Sequence, residues 1–118
     1  MTEAELKQRT KQFALRVMKL VGALPQGPVP RVLGGQLVRS GTSVGANYRA
    51  ACRARSKAEF ISKLGTVVEE ADESAYWIEL IIDGGIMKKK LVKPLLDEAE
   101  ELVRIMAASH KTASGRRS

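Results

Sequence analysis

Three features of this 118-residue sequence predict an all-α protein, an antiparallel up-and-down four-helix bundle. Apolar residues recur at steps of three and four along four segments, without the period-two alternation of a strand. Short stretches rich in proline and glycine divide the segments, which suits antiparallel neighbours joined by brief turns. Aromatics are only 4% of residues while hydrophobics as a whole are 44%, so Leu, Ile, Val, Ala and Met must fill the core, as helix-on-helix packing favours. One domain over residues 1–111 is expected at this length, followed by a disordered basic tail at residues 112–118.

The first segment, about Glu3 to Ala23, carries Leu6, Phe13, Val17, Leu20 and Leu24 on one helical stripe, with Lys7, Lys11, Arg16 and Lys19 largely off it. Pro25-Gln26-Gly27-Pro28 ends it, because proline removes a backbone donor and biases its predecessor out of the helical region. The second, about Val29 to Arg53, spaces Leu33, Leu37, Val44, Tyr48 and Ala51 as a helix does. Gly34, Gly35, Gly41 and Gly45 interrupt it, each at ~1 kcal/mol relative to alanine. Gly34, Gly41 and Gly45 fall near one face, so close approach of a neighbouring helix is the natural compensation. A break at Ser40-Gly41-Thr42-Ser43 is the alternative; one helix is the preferred reading.

The third segment opens on Ser56-Lys57-Ala58-Glu59, a capping box in which serine and glutamate satisfy each other's backbone donors. Ile61, Leu64, Val68, Ala71, Ala75, Ile78 and Ile82 then follow at helical steps in one helix of about seven turns, ~40 Å, that stops at Gly84-Gly85. Phe60, Val67, Trp77, Leu80 and Ile81 widen its apolar surface, which predicts more than one neighbour and surface left over for an interface. The last segment, about Lys89 to His110, sets Val92, Leu95, Ala99, Leu102 and Met106 opposite Asp97, Glu98, Glu100 and Glu101.

Catalysis finds little to work with. His110 is the only histidine, which removes imidazole relays and multi-histidine metal sites. Glu69, Glu70, Asp72, Glu73 and Glu79 lack the Glu-x-x-His pairs of a carboxylate metal bundle and read as a solvated face. Gly41-Thr42-Ser43-Val44-Gly45 lacks the Lys-Ser/Thr ending of a nucleotide loop. Cys52 is the lone cysteine and reads as a small buried hydrophobe in a reducing compartment, so a cytoplasmic location is expected. Met1 to Arg16 has no signal-peptide pattern, and no run reaches the ~18 apolar residues of a membrane span. The chain is therefore expected to be no enzyme and to hold no metal or cofactor.

Charge is the informative constellation. The net charge is +7, yet Leu6 to Lys63 holds twelve Lys/Arg against Glu59 alone, while Val68 to Glu101 holds four Lys against ten acids. Such asymmetry implies an anionic partner for the basic half or association of one half with the other. Arg39, Arg49, Arg53, Arg55, Lys57 and Lys63 run down the end of the second helix, through the turn and into the third, and Lys7, Lys11, Arg16 and Lys19 are available to extend the patch from the first. Clustered cations neutralise phosphates and gain affinity from counterion release without base-specific geometry. RNA or DNA is thus the expected ligand, held by its backbone because few aromatics are available for stacking. A protein-interaction scaffold, with charges serving assembly, is the alternative.

The run Gln36-Leu37-Val38-Arg39-Ser40-Gly41-Thr42-Ser43-Val44-Gly45-Ala46-Asn47-Tyr48, then Arg55-Ser56-Lys57-Ala58-Glu59-Phe60, then Glu70-Ala71-Asp72-Glu73-Ser74 with Tyr76-Trp77-Ile78-Glu79, resembles the bacterial four-helix-bundle proteins also called 23S rRNA intervening-sequence proteins. The resemblance implies a four-helix protomer, commonly a homopentamer, with no established enzymatic activity. It also reaches the accessory variability protein of diversity-generating retroelements, a basic pentamer that binds nucleic acid and its reverse transcriptase; a protein partner of that kind is what the resemblance adds to RNA or DNA and to self-association. Ala50 stands where the family often carries an acid, so any contact made by that carboxylate is absent.

Overall fold

The computed structural model describes residues 1–115 and contains four helices: α1 (Glu3–Gly22), α2 (Pro28–Cys52), α3 (Lys57–Asp83) and α4 (Lys89–Ser114). Among the described residues there is no strand, and no helix is long and apolar enough to cross a membrane. The molecule measures 44 × 27 × 22 Å, its long dimension set by helices of 25 to 27 residues at ~1.5 Å per residue.

Each helix start has a local cause. Thr2 caps α1: its hydroxyl accepts from the Glu5 amide at 3.1 Å and Glu5 Oε1 accepts from the Thr2 amide at 2.9 Å, a complete capping box. Gly27 precedes α2 at φ 138°, a backbone that side chains rarely adopt, and Pro28 follows at the first helical position, where its missing donor is not needed. The box expected at Ser56 is half formed. Ser56 Oγ accepts from the Glu59 amide at 3.1 Å, but Glu59 Oε2 accepts from the Arg55 amide, at 3.4 Å, in place of that of Ser56.

The second segment is one uninterrupted helix through Gly41, as preferred. The fourth helix runs past its expected end at His110 to Ser114, where Gly115 closes it in the left-handed conformation, φ 71°. The expected disordered stretch therefore begins inside this helix, and residues 116–118 lie outside those described.

The helices pack as a ring of neighbours, α1 on α2, α2 on α3, α3 on α4, with α4 closing sparsely on α1, and the backbones of the diagonal pairs stay further apart. With connections of only a few residues, successive helices run antiparallel. Phe13 and Val17 of α1, Leu37 and Val44 of α2, Leu64, Val67, Ile78 and Ile81 of α3, and Val92, Leu102 and Met106 of α4 are fully buried together. Most of the extra apolar surface of α3 is used inside this protomer: Val67 and Ile81 are in the core and Phe60 and Trp77 pack against it, while Leu80 is half-buried outside that cluster. The exposed large apolar side chains stand elsewhere, at Leu15 and Met18 of α1, Val29 and Val32 of α2, and Leu91 of α4, joined on α3 by Tyr76.

Candidate nucleic-acid interface

Glycines set the α1/α2 seam. A Cβ at Gly34 would lie 3.0 Å from Val21, at Gly41 2.9 Å from Val17 and at Gly45 3.2 Å from Thr10 Oγ1, so all three admit α1 at close range. Thr10 is itself fully buried, and its hydroxyl turns back to the Leu6 and Lys7 carbonyls at 2.9 and 3.1 Å. Where the helices part on the solvent side, they leave an open groove of about 670 Å³ lined by Ala4, Gln8, Ala14, Thr42, Ala46 and four cations. Those cations are Lys7 and Lys11 of α1, Arg49 near the end of α2, and Arg53, which caps α2. Each pair is one helical turn apart, so both walls carry a row of positive charge.

These cations have few internal partners. Lys7 meets Glu3 at 3.1 Å, one turn away on the same exposed helix face, a solvent-screened pair of little strength. Lys11, Arg49 and Arg53 are exposed and form no ion pair among the described residues.

The other four expected contacts do not line this groove. Arg39 turns toward α3, where its guanidinium donates to Glu70 at 3.1 Å and to Glu73, so its charge is already answered by two carboxylates. Arg55 and Lys57 stand exposed at the α2–α3 turn and the start of α3, and Lys63 is half-buried on α3. Arg16 and Lys19 line a separate, largely apolar groove against Leu91 and Pro94 of α4. Sequence reasoning joins all of these into one patch, whereas the fold turns Arg39 toward α3 and Arg16 and Lys19 toward α4, and lines the α1/α2 groove with Lys7, Lys11, Arg49 and Arg53.

The model of the 23S rRNA-intervening sequence protein family matches residues 2–108. The chain belongs to this family. It is similar over 94% of its length to a solved protein of unknown function from the S23 ribosomal protein family of Bacteroides thetaiotaomicron VPI-5482, at 32% identity, 99% coverage of that chain and a TM-score of 0.86. Comparison with curated proteins finds no match.

The residues that carry the family resemblance hold α2 in place. Besides Arg39 with Glu70 and Glu73, the buried Ser74 hydroxyl lies 2.8 Å from both Ser40 Oγ and the Glu70 carbonyl, tying α3 to α2, while Gly41 and Gly45 admit α1. Much of the quoted run thus serves packing. Sequence reasoning missed one inter-helix tie: Arg9 donates in two-pronged fashion to Glu98, at 2.7 and 2.8 Å, from α1 to α4. Its signal was available, since Arg9 precedes buried Thr10 and Glu98 precedes buried Ala99, which places both charges at the border of an apolar stripe.

Cys52 and Tyr48 lie one turn apart at the end of α2. Burial pushes both the Cys52 thiol and the Tyr48 phenol above their ordinary values, and the Tyr48 hydrogen bond offsets only part of that for Cys52. The thiol is therefore less ionised than a free one and poorly suited as a nucleophile. Among the described residues, no group of three or more His, Cys, Asp and Glu could hold a metal ion.

Proposed function

We propose that this protein is a non-enzymatic binder of nucleic acid that grips phosphates through the α1/α2 groove, with little preference for sequence. One observation carries the reading. The groove lies on the seam where neither helix supplies an acid beyond the first turn of α1: α2 has none, and Glu3 and Glu5 are the only two in α1. On the other seams of α1 and α2 an arginine finds glutamate partners across the interface, Arg9 with Glu98 and Arg39 with Glu70 and Glu73. In the groove four cations line one open surface, an arrangement that suits a phosphate backbone. Self-association, as a homopentamer in the family resemblance, would repeat the groove and raise avidity. Exposed Leu15, Met18, Val29 and Val32 support an assembly surface on the α1–α2 hairpin, and the lone Cys52 suits a cytoplasmic setting.

Gel mobility shifts of mixed-sequence RNA and DNA at low salt test the binding, with Lys11→Ala and Arg49→Ala weakening it. Light scattering tests the assembly. Unchanged mobility of both nucleic acids at excess protein removes the reading. A protein-interaction scaffold is the second reading, favoured by the same exposed apolar residues; it predicts a co-purifying protein and indifference to nucleic acid.

A further inference from the structure

We infer that the α1/α2 groove seats the sugar-phosphate backbone of a duplex in preference to a single strand, an inference that rests on the phosphate-binding reading above and adds the class of strand. What lines the groove besides its cations is Ala4, Gln8, Thr10, Ala14, Thr42, Gly45 and Ala46. None of these is aromatic, and the one strongly exposed aromatic ring among the described residues, Tyr76, stands on α3 outside this lining.

Proteins that hold single strands without sequence preference stack bases on aromatic rings, at about 1–3 kcal/mol per base. This groove offers no such platform. Without aromatic rings a single strand would gain its phosphate contacts and at most stacking on the Arg49 and Arg53 guanidiniums, and its flexible backbone would lose freedom in making them. A duplex presents the same phosphates already ordered, at about one charge per 1.7 Å of axis, and releases more counterion per contact than a single strand.

Cation spacing agrees with a backbone ligand. Lys7 and Lys11 are four residues apart on α1, as are Arg49 and Arg53 on α2, so each pair is separated by ~6 Å along its helix. That is close to the separation of successive phosphates on one strand. Two adjacent phosphates can therefore meet a cation from each wall, while the alanines, Thr42 and Gly45 between leave room for the ridge of the strand.

Fluorescence anisotropy tests this on the full chain with three labelled probes, each about one helical turn in length. The probes are a mixed-sequence DNA duplex, a mixed-sequence RNA duplex and an oligothymidylate strand. Both duplexes are expected to bind at least tenfold tighter than the strand at equal salt. For duplex DNA, log affinity should fall against log salt with a slope of about −3.6, from four contacts at ~0.9 each. Lys11→Ala combined with Arg49→Ala, both exposed, should reduce that slope by about two with an unchanged helical circular dichroism spectrum. A single strand that binds as tightly as the duplexes overturns the inference and leaves phosphate binding standing. Failure of all three probes to bind at low salt overturns both.

Discussion

Alanine at Gly35 and alanine at Gly41 put the same methyl group into the interior of the same helix, and the structure assigns them opposite signs. Helix propensity alone favours alanine by about 1 kcal/mol at either position. At Gly35 the new Cβ meets nothing within 4 Å, so the gain is realised, about 0.5–1 kcal/mol. At Gly41 it lands 2.9 Å from Val17 Cγ2, 3.0 Å from Cγ1 and 3.2 Å from Val17 Cβ. Val17 is fully buried and β-branched, and its Cβ is fixed to the α1 backbone, so no rotamer change clears all three contacts and α1 itself must move. Overpacking costs about 1–3 kcal/mol, and three contacts that only a shift of α1 can clear put Gly41→Ala in the upper part of that range, about 2–3 kcal/mol, which leaves a net loss of about 1–2 kcal/mol after the propensity gain. Urea unfolding of the two variants reads the difference at constant m-value, and thermal unfolding should separate their midpoints by roughly 5–10 °C. Adding Val17→Ala to Gly41→Ala removes two of the three close contacts, so the double-mutant cycle should show favourable coupling between the sites. A Gly41→Ala protein as stable as the parent, or a Gly35→Ala loss of the same size, refutes the account of α2 as a helix whose glycines serve the α1 seam.

Other consequences follow from the ties between helices. Arg39→Ala should leave the salt dependence of nucleic-acid binding unchanged while Arg49→Ala lowers its slope by about one, because Arg39 is held by Glu70 and Glu73; equal effects in a salt titration would contradict this placement. Ser74→Ala removes a hydroxyl 2.8 Å from Ser40 Oγ and should cost about 1 kcal/mol in urea unfolding, with Ser40→Ala plus Ser74→Ala costing less than the two singles together. Arg9→Ala breaks the two-pronged, part-buried bond to Glu98 and should lower stability by about 1 kcal/mol, visible as faster hydrogen exchange along α1. The Glu5 carboxylate is held below its ordinary value by the backbone amide of Thr2 and then by its hydroxyl, so its stabilising effect on the start of α1 is complete above the unfolded-state value and is lost as pH falls through the folded one. Protection factors of the first-turn amides of α1 should fall in acid, and Glu5→Gln should remove that pH dependence.

The helices were legible because burial imposes a period. Val92, Leu95, Ala99, Leu102 and Met106 are all buried, and α2 persists through Gly41 because the cost of its glycines is offset where α1 approaches. Three kinds of detail escaped. The Glu59 carboxylate chose the Arg55 amide over that of Ser56, since two donors lie within reach and local sequence does not rank them. Most of the spare apolar surface assigned to α3 is absorbed because α3 packs extensively on both α2 and α4, and most of the exposed large apolar residues stand on α1 and α2. The basic patch was recognised by residue but not by face: Arg39 and Arg49 are ten positions apart on one helix, a separation that rotates one toward the α3 carboxylates and the other into the groove.

That separation links the uneven charge of the sequence to the proposed site. Cations gathered in the first half and acids in the second leave like-charged surfaces together wherever consecutive helices of one half become neighbours in a ring. α1 and α2 are such neighbours, and the short turn between them obliges them to pack side by side. Their outer seams reach the acids of α3 and α4 and close with Arg39–Glu70 and Arg9–Glu98, which tie helices together; their shared seam has no acid within reach beyond Glu3, so its charges must be met by water, salt or an anionic ligand. An Arg9→Glu, Glu98→Arg exchange distinguishes these two uses of charge. It should retain most of the stability that Arg9→Ala loses, because the pair is reconstituted across α1/α4, and should leave duplex binding as it was, because the groove cations are untouched. Loss of duplex binding in that folded, charge-conserving variant would mean that the net field of α1, and not the groove, attracts the phosphate.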